Sequence, residues 1–242
     1  MSIKTTGRVV GGLFLSGFVL YGGGSFLLAS ATDGAPPLPE NATSLGQLSA
    51  GATLLLLNSA AVAAIGTLAF RVLRRPHHRT ARTYLATRTT EAALLALAPL
   101  GTLTLAFAAR SGTSTDTDSG IQSLARTAVE NSESAYWLAM AILGVGSIFF
   151  CRALLRSALL PRFLAVWGMV GYGIFALGSA LQLAGYGVGL ALSAPGGLFE
   201  VAVGAFLLVK GFAATASDRV ADGDLPATSA PVIVTTTARA HA

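Results

Sequence analysis

Charged residues are scarce in this chain of 242 residues. Aspartate, glutamate, lysine and arginine together make up 11% of it, whereas a typical soluble domain carries about 25%. Hydrophobic residues account for 53% of the chain, which excludes a largely disordered protein and argues against an ordinary soluble enzyme. The net charge of +5 does not indicate nucleic-acid binding here, because in such a chain the position of each charge matters more than the sum.

The residues that most often perform chemistry are few as well. Cys151 is the only cysteine, so an intrachain disulfide is excluded. His77 and His78 stand side by side in a basic stretch, and His241 lies near the end of the sequence. With no histidine in an apolar run and no glycine-rich phosphate loop, the sequence gives no catalytic residue, no metal site and no cofactor.

Long apolar runs dominate the rest of the sequence. A helix that crosses a bilayer needs about 20 mainly apolar residues, because the hydrocarbon is about 30 Å thick and each residue rises about 1.5 Å. Six runs meet this requirement: residues 9–28, 49–73, 84–108, 136–155, 163–185 and 188–209. The sequence therefore predicts an all-α, polytopic membrane bundle of six transmembrane helices.

One membrane domain and one tail are expected. Residues 1–213 contain all six runs, with a short surface helix predicted over residues 121–130. Residues 214–242 are rich in alanine, threonine, serine and proline and contain no aromatic residue. Such a segment has too little apolar surface to offset the entropy of ordering, so we expect a disordered cytoplasmic tail.

Basic residues fall mainly on one side of the predicted spans. Thirteen lysine and arginine residues lie at the two ends and in the second and fourth loops, against Arg110 and Arg126 on the opposite side. Since cytoplasmic loops are enriched in such residues, we expect both termini in the cytoplasm and the protein in the cell membrane. The second loop is expected to meet anionic lipid headgroups through Arg71, Arg74, Arg75, Arg79 and Arg82.

The start of the chain allows a second interpretation. Basic residues precede the first apolar run, and Ala29-Ser30-Ala31 fits a signal-peptidase site. Cleavage there would leave five spans. The run is longer than the core of a usual signal peptide, which has about 7–15 residues, so we favour a retained first helix.

Several segments resemble one bacterial family. They are an opening segment at residues 6–13 (TGRVVGGL), a central one at 149–152 (FFCR), 156–157 (RS) and 160–164 (LPRFL), and a closing one with Pro195, Glu200 and 207–211 (LLVKG). Together they resemble the bacterial integral-membrane family known as domain of unknown function 4386. Phe199 and Phe206 depart from the glycine and tryptophan that the family pattern leads one to expect. The resemblance implies a multi-span membrane protein and no particular reaction, so no catalytic residue is carried over.

Two acidic residues fall inside the predicted spans, where charge is costly and is usually paired or functional. Glu91 follows Arg88 by three residues, so both project from one face of the third span. Glu200 lies near the centre of the sixth span, with Gly196 and Gly204 on its own face, where a neighbouring helix can approach closely. An unpaired carboxyl at that depth would keep its proton, whereas one reached by Arg88 would be ionised.

Three further polar residues within the spans are secondary candidates. Asn58 and Gln182 are expected to form hydrogen bonds between helices. Tyr172 lies deep enough to donate a hydrogen bond into a central cavity. The main candidate site is an intramembrane polar cluster of Arg88, Glu91 and Glu200, which serves either the structure or a transport path.

Two functions fit this sequence better than a membrane-embedded enzyme, which is disfavoured because the sequence shows no paired nucleophile and base. The first is a non-enzymatic membrane protein, such as a scaffold, sensor or regulator, whose polar cluster fixes the packing of the helices. The second is a small proton-linked transporter or permease that uses Glu200 and Glu91. A water-accessible cavity at Glu200 would favour transport, and a dry, salt-bridged cluster would favour the structural role.

Overall fold

A computed structural model describes residues 2–32, 42–111 and 116–213. Within these ranges the chain forms helices and no strands. The helices are α1 (Ile3–Thr32), α2 (Ala42–Leu73), α3 (His78–Ser111), α4 (Asp116–Glu130), α5 (Ser132–Arg156), α6 (Arg162–Leu183) and α7 (Gly189–Lys210).

The predicted set of six membrane-spanning helices is confirmed. All helices except α4 are long and apolar enough to cross a bilayer. The short helix predicted over residues 121–130 is α4, which begins earlier, at Asp116. Helix α6 ends at Leu183, two residues before the predicted end, because Gly185 and Gly187 adopt left-handed backbone angles that begin a turn. The tail predicted over residues 214–242 lies outside the described residues.

The six long helices form a closed ring. Along the chain, α1 packs on α2, α2 on α3, α3 on α5, α5 on α6 and α6 on α7, and α7 returns to pack on α1. Helix α4 packs mainly on α3 and also touches α5. This arrangement gives every spanning helix two principal neighbours and leaves room along the axis of the ring.

The beginning of α1 and the end of α7 lie at the same end of the ring, which we call the terminal end. Arg8 donates a hydrogen bond to the Val209 carbonyl, with 3.4 Å between nitrogen and oxygen. Ala213, just after α7, donates to the Leu159 carbonyl in the turn between α5 and α6 at 3.2 Å. The opposite end, which carries α4, is the distal end.

Large apolar side chains fill the ring at its terminal end. Residues from all six spanning helices, and Phe212 after α7, are almost fully buried there: Val10, Leu73, Tyr84, Leu154, Leu164, Leu207 and Phe212. Other large apolar residues point outward, among them Val19, Phe26, Phe107, Leu190 and Val209. An apolar outer surface is what a helix bundle exposes to lipid tails, so the sequence satisfies both a packed interior and a lipid-facing exterior.

Candidate functional site

The centre of the site is an ion pair on α3. Arg88 Nη1 lies 2.9 Å from Glu91 Oε2 and 3.2 Å from Glu91 Oε1. Both residues are only 2% exposed. The three-residue spacing along the helix places the two side chains on one face, so one element of secondary structure builds the pair without help from its neighbours.

Aromatic side chains hold the rest of the Arg88 guanidinium. Its Nε donates a hydrogen bond to the Tyr84 hydroxyl at 2.8 Å, and its Cζ lies 5.2 Å from the centre of the Phe14 ring. At this distance a guanidinium and the face of an aromatic ring attract each other. Helix α2 can pack closely against Arg88 because Gly66 has no side chain. A Cβ at Gly66 would lie 2.6 Å from Arg88 Cβ, too close for two carbon atoms.

Glu200 joins this pair from the opposite side of the ring. It lies near the middle of α7, and Tyr172 from α6 donates a hydrogen bond to its Oε1 at 2.7 Å. Arg88 Nη2 lies 3.7 Å from the same oxygen. The Glu200 side chain is 19% exposed, against 3% for those of Arg88 and Glu91. Its carboxyl is therefore the accessible one of the two.

One nitrogen of the site makes no hydrogen bond to any described residue. Among the residues that the structure describes, none accepts a hydrogen bond from Arg88 Nη2, although the atom is buried. Burying a polar group without a hydrogen bond is costly. The unsatisfied Nη2, close to Glu200, is therefore the point at which the site is incomplete.

The structure brings together most of the residues that the sequence singles out. Arg88, Glu91, Glu200 and Tyr172 form one connected group, and the buried Asn58 lies on the wall of the same cavity. Gln182 lies elsewhere: its Oε1 accepts a hydrogen bond from the Gly189 backbone nitrogen at 2.9 Å and links the end of α6 to the start of α7.

Sequence reasoning missed two members of the site. Tyr84 lies four residues before Arg88, so helix periodicity alone could have identified it as a neighbour. Phe14 contacts Arg88 from α1, and no local pattern in the sequence relates the two residues.

A cavity of about 340 Å³ lies on the axis of the ring, and all six spanning helices contribute to its wall. Of the described residues that line it, only Arg88, Glu91 and Glu200 are charged. Aromatic rings make up much of the remaining wall: Phe14, Phe18, Tyr21, Tyr136, Tyr172 and Phe175. The site is therefore an apolar chamber with a charged group at one place, as is typical of small-molecule binding sites.

A second cavity of about 440 Å³ adjoins the first toward the distal end. Tyr21, Asn58, Leu95 and Tyr136 line both. Val129 of α4 and Glu133 at the start of α5 line the second cavity but not the first. The two cavities thus share a wall in which the Tyr21 and Tyr136 rings stack, with 5.4 Å between their centres, and the second cavity lies on the distal side of this wall. Packed apolar residues close the ring at the terminal end.

The charges of the site do not balance. One guanidinium faces two carboxyl groups, and the closer of these, Glu91, is paired with it through two oxygens. In a setting of low polarity a second carboxylate needs a proton or a cation. Among the described residues no three histidine, cysteine, aspartate or glutamate side chains come together as metal ligands.

The family model for the domain of unknown function DUF4386 matches residues 9–211 of this chain. The chain belongs to this family. The matched range contains every residue of the DUF4386 site described above, from Phe14 to Glu200. No curated protein and no solved structure matches the chain.

Proposed function

We propose that this protein is a small proton-linked permease, in which the central cavity binds the substrate and Glu200 carries the proton. The observation that supports this most directly is that the cavity reaches Glu200 in the middle of the membrane domain. A charged residue at that depth that also lines a cavity is typical of an ion or substrate path. The proposal assigns transport, and no reaction, to this site.

The two carboxyl groups have different roles in this proposal. Glu91 is buried and paired with Arg88, so this pair serves the structure and holds a fixed charge next to the cavity. Glu200 has one hydrogen bond from Tyr172 and a longer approach to Arg88 Nη2. Because Arg88 is already paired with Glu91 and reaches Glu200 only at 3.7 Å, without a hydrogen bond, Glu200 is the carboxyl for which substrate and proton compete in this proposal.

A scaffold without transport would explain the Arg88–Glu91 pair equally well. It would not explain why about 340 Å³ of space is kept next to the pair, because interiors close-pack and a void lowers stability. The asymmetry between a packed terminal end and a distal half that holds both cavities also supports transport, because a carrier opens its site to one side at a time.

We further propose that the distal end faces away from the cytoplasm in the cell membrane. The five arginine residues of the second loop are all exposed at the terminal end: Arg71, Arg74, Arg75, Arg79 and Arg82. Positive charge at one end favours the cytoplasmic side and anionic lipid headgroups. In this orientation the second cavity lies on the outer side of the central one, and both termini lie in the cytoplasm.

Access to the cavity from each side tests the proposed permease. Cys151 is first replaced by alanine, and Ala61, a cavity-lining residue of α2, is then replaced by cysteine. Oriented proteoliposomes are treated on either face with a permanently charged methanethiosulfonate reagent. A permease predicts labelling of A61C from both faces, because the cavity opens alternately to each side. Labelling from one face only would mean a fixed binding pocket and would contradict the proposal.

Val145 provides the matched control. It lies on the outer surface of α5 and is 53% exposed, so V145C faces lipid. A charged reagent does not reach a thiol in lipid, and we expect no labelling of this variant from either face. Equal labelling of V145C and A61C would show that the reagent enters through damaged protein or leaky vesicles.

A further inference from the structure

Helices α1 and α7 are in close contact at the terminal end. Gly11 packs against the backbone of α7, where a Cβ on Gly11 would lie 2.5 Å from the Gly204 carbonyl oxygen. One turn earlier, Arg8 donates its hydrogen bond to Val209. Small residues at a crossing let two helices approach backbone to backbone, so the ring is tightly closed between these two helices here.

The same two helices leave an opening closer to the distal end. Gly22 of α1 and Gly197 of α7 both line the central cavity, and a Cβ on either would meet no described atom within 4 Å. Phe18 and Tyr21, also in the cavity wall, are 43% and 36% exposed. The cavity therefore reaches the outer surface of the ring between residues 18–22 and 193–197.

This opening faces the lipid and not the water at the end of the bundle. The segment 193–197 begins about one turn after the start of α7 and ends close to its middle. Residues 18–22 lie opposite it in the second half of α1. Lipid tails of the distal leaflet surround this depth of a spanning helix, so a molecule dissolved in the bilayer can reach the cavity sideways.

The interior wall indicates the charge of such a molecule. Aromatic rings line the way from Phe18 to Tyr172, and aromatic faces attract organic cations. At its end lies Glu200, the accessible carboxyl of a group with one cation and two carboxyls. The buried Arg88 Nη2, which makes no hydrogen bond to any described residue, can donate to an oxygen atom next to the positive charge of the ligand.

We propose that the cavity binds an apolar organic cation, such as an amphiphilic amine, which enters from the bilayer between α1 and α7 and takes Glu200 as its counter-ion. This inference rests on the proposed function, because it names the substrate class of the same site. When the cation binds, the Glu200 carboxylic acid loses its proton to water, and the charge of the site is balanced by the ligand.

Three probes of known charge and shape test the substrate class. The protein is placed in phosphatidylcholine nanodiscs, and saturable binding is measured for tetraphenylphosphonium, for its anionic counterpart tetraphenylborate and for the water-soluble cation tetraethylammonium. We expect saturable binding of tetraphenylphosphonium only, weakened at least tenfold by E200Q. Binding of tetraphenylborate or tetraethylammonium as tight as that of tetraphenylphosphonium, or no saturable binding of tetraphenylphosphonium, would overturn the inference.

The route is tested by closing the opening. We expect G197W to slow the association of tetraphenylphosphonium at least tenfold, because the indole fills a space that no described atom occupies. Gly46 of α2 also has no neighbour within 4 Å of a Cβ but lines neither cavity, so G46W is the matched control. Unchanged association in G197W would exclude this route, and equal slowing in G46W would exclude a specific effect.

Two sources of the amine are separated by the lipid. If phosphatidylethanolamine in the nanodiscs competes with tetraphenylphosphonium, the natural ligand class includes aminolipids. If it does not compete, the natural ligand class is limited to free amphiphilic amines. The labelling of A61C is independent of these assays. Two-sided labelling without tetraphenylphosphonium binding would keep the permease and reject the cation, and binding with one-sided labelling would keep the cation site and reject transport.

Discussion

The chemistry of this protein depends on how differently its two intramembrane glutamates are held. Glu91 receives two contacts from Arg88 Nη1 and is almost fully buried. Glu200 Oε1 lies 3.7 Å from the other terminal nitrogen of the guanidinium, Arg88 Nη2, and the Glu200 side chain borders the cavity. In the proposed permease, this small difference in distance and exposure separates the structural carboxyl, Glu91, from the one that carries the proton, Glu200.

Removing the guanidinium should destabilise the protein strongly. R88M leaves Glu91 buried without a counter-charge, and breaking a buried pair in this way costs about 3–5 kcal/mol. Thermal unfolding in detergent measures the effect, and the double variant R88M/E91Q should recover part of the loss. If R88M alone unfolds at the temperature of the unmodified protein, the pair does not stabilise the helix bundle.

Substitutions at Tyr172 and Glu200 should differ in their effect. Y172F removes the hydroxyl that donates to Glu200 and should cost about 0.5–1.5 kcal/mol. E200Q keeps an oxygen that accepts this hydrogen bond, so its melting temperature should stay close to that of the unmodified protein while proton exchange at the site is lost. A collapse of the solubilised protein in E200Q, but not in Y172F, would mean that Glu200 is permanently ionised and structural.

Only part of this site could be predicted from the sequence, because helix spacing relates residues that are close along the chain and not residues on distant helices. The Arg88–Glu91 pair follows from a three-residue spacing within one helix. The approach of Glu200 to Arg88 joins α7 to α3 across the ring and depends on the order in which the helices pack. Likewise, Gln182 could be predicted as an interhelical residue, but its actual partner, the backbone of Gly189, could not.

At the scale of helices, glycine positions decide which neighbours meet. The number of spans and their approximate ends follow from apolar length alone, whereas the closed ring requires the contact between α1 and α7. Nothing in the hydropathy of the chain identifies Gly11 and Gly204 as the crossing point, because that contact is set by the shapes of two distant segments.

Gly11 and Gly12 give a direct comparison of this crossing. A Cβ at Gly11 would collide with the backbone of α7, but one at Gly12 would lie 3.7 Å from Leu208 Cδ1, an ordinary contact. We expect G11V to lower the yield of monodisperse protein in size-exclusion chromatography severalfold and G12V to leave it nearly unchanged. Equal yields would show that α1 and α7 do not cross at this glycine.

For the molecule as a whole, the even number of spans fixes the relation between the two ends of the membrane domain. Arg8 and Val209 contact each other at the terminal end, and the arginine residues favour the cytoplasm there. Reporter fusions active only in the cytoplasm should therefore be active at both the beginning and the end of the chain. Activity at only one of them would contradict the proposed topology.

The exchange of the Glu200 proton is measured most directly by infrared difference spectroscopy in lipid, with E200Q as the reference. A carrier carboxyl predicts a carboxylic-acid C=O band that is absent in E200Q, disappears as the pH rises and shifts promptly in D₂O. Tetraphenylphosphonium should remove the same band at constant pH. A Glu200 band that neither titrates nor exchanges, or no such band at any pH, would mean a dry structural cluster and would contradict a proton-linked permease.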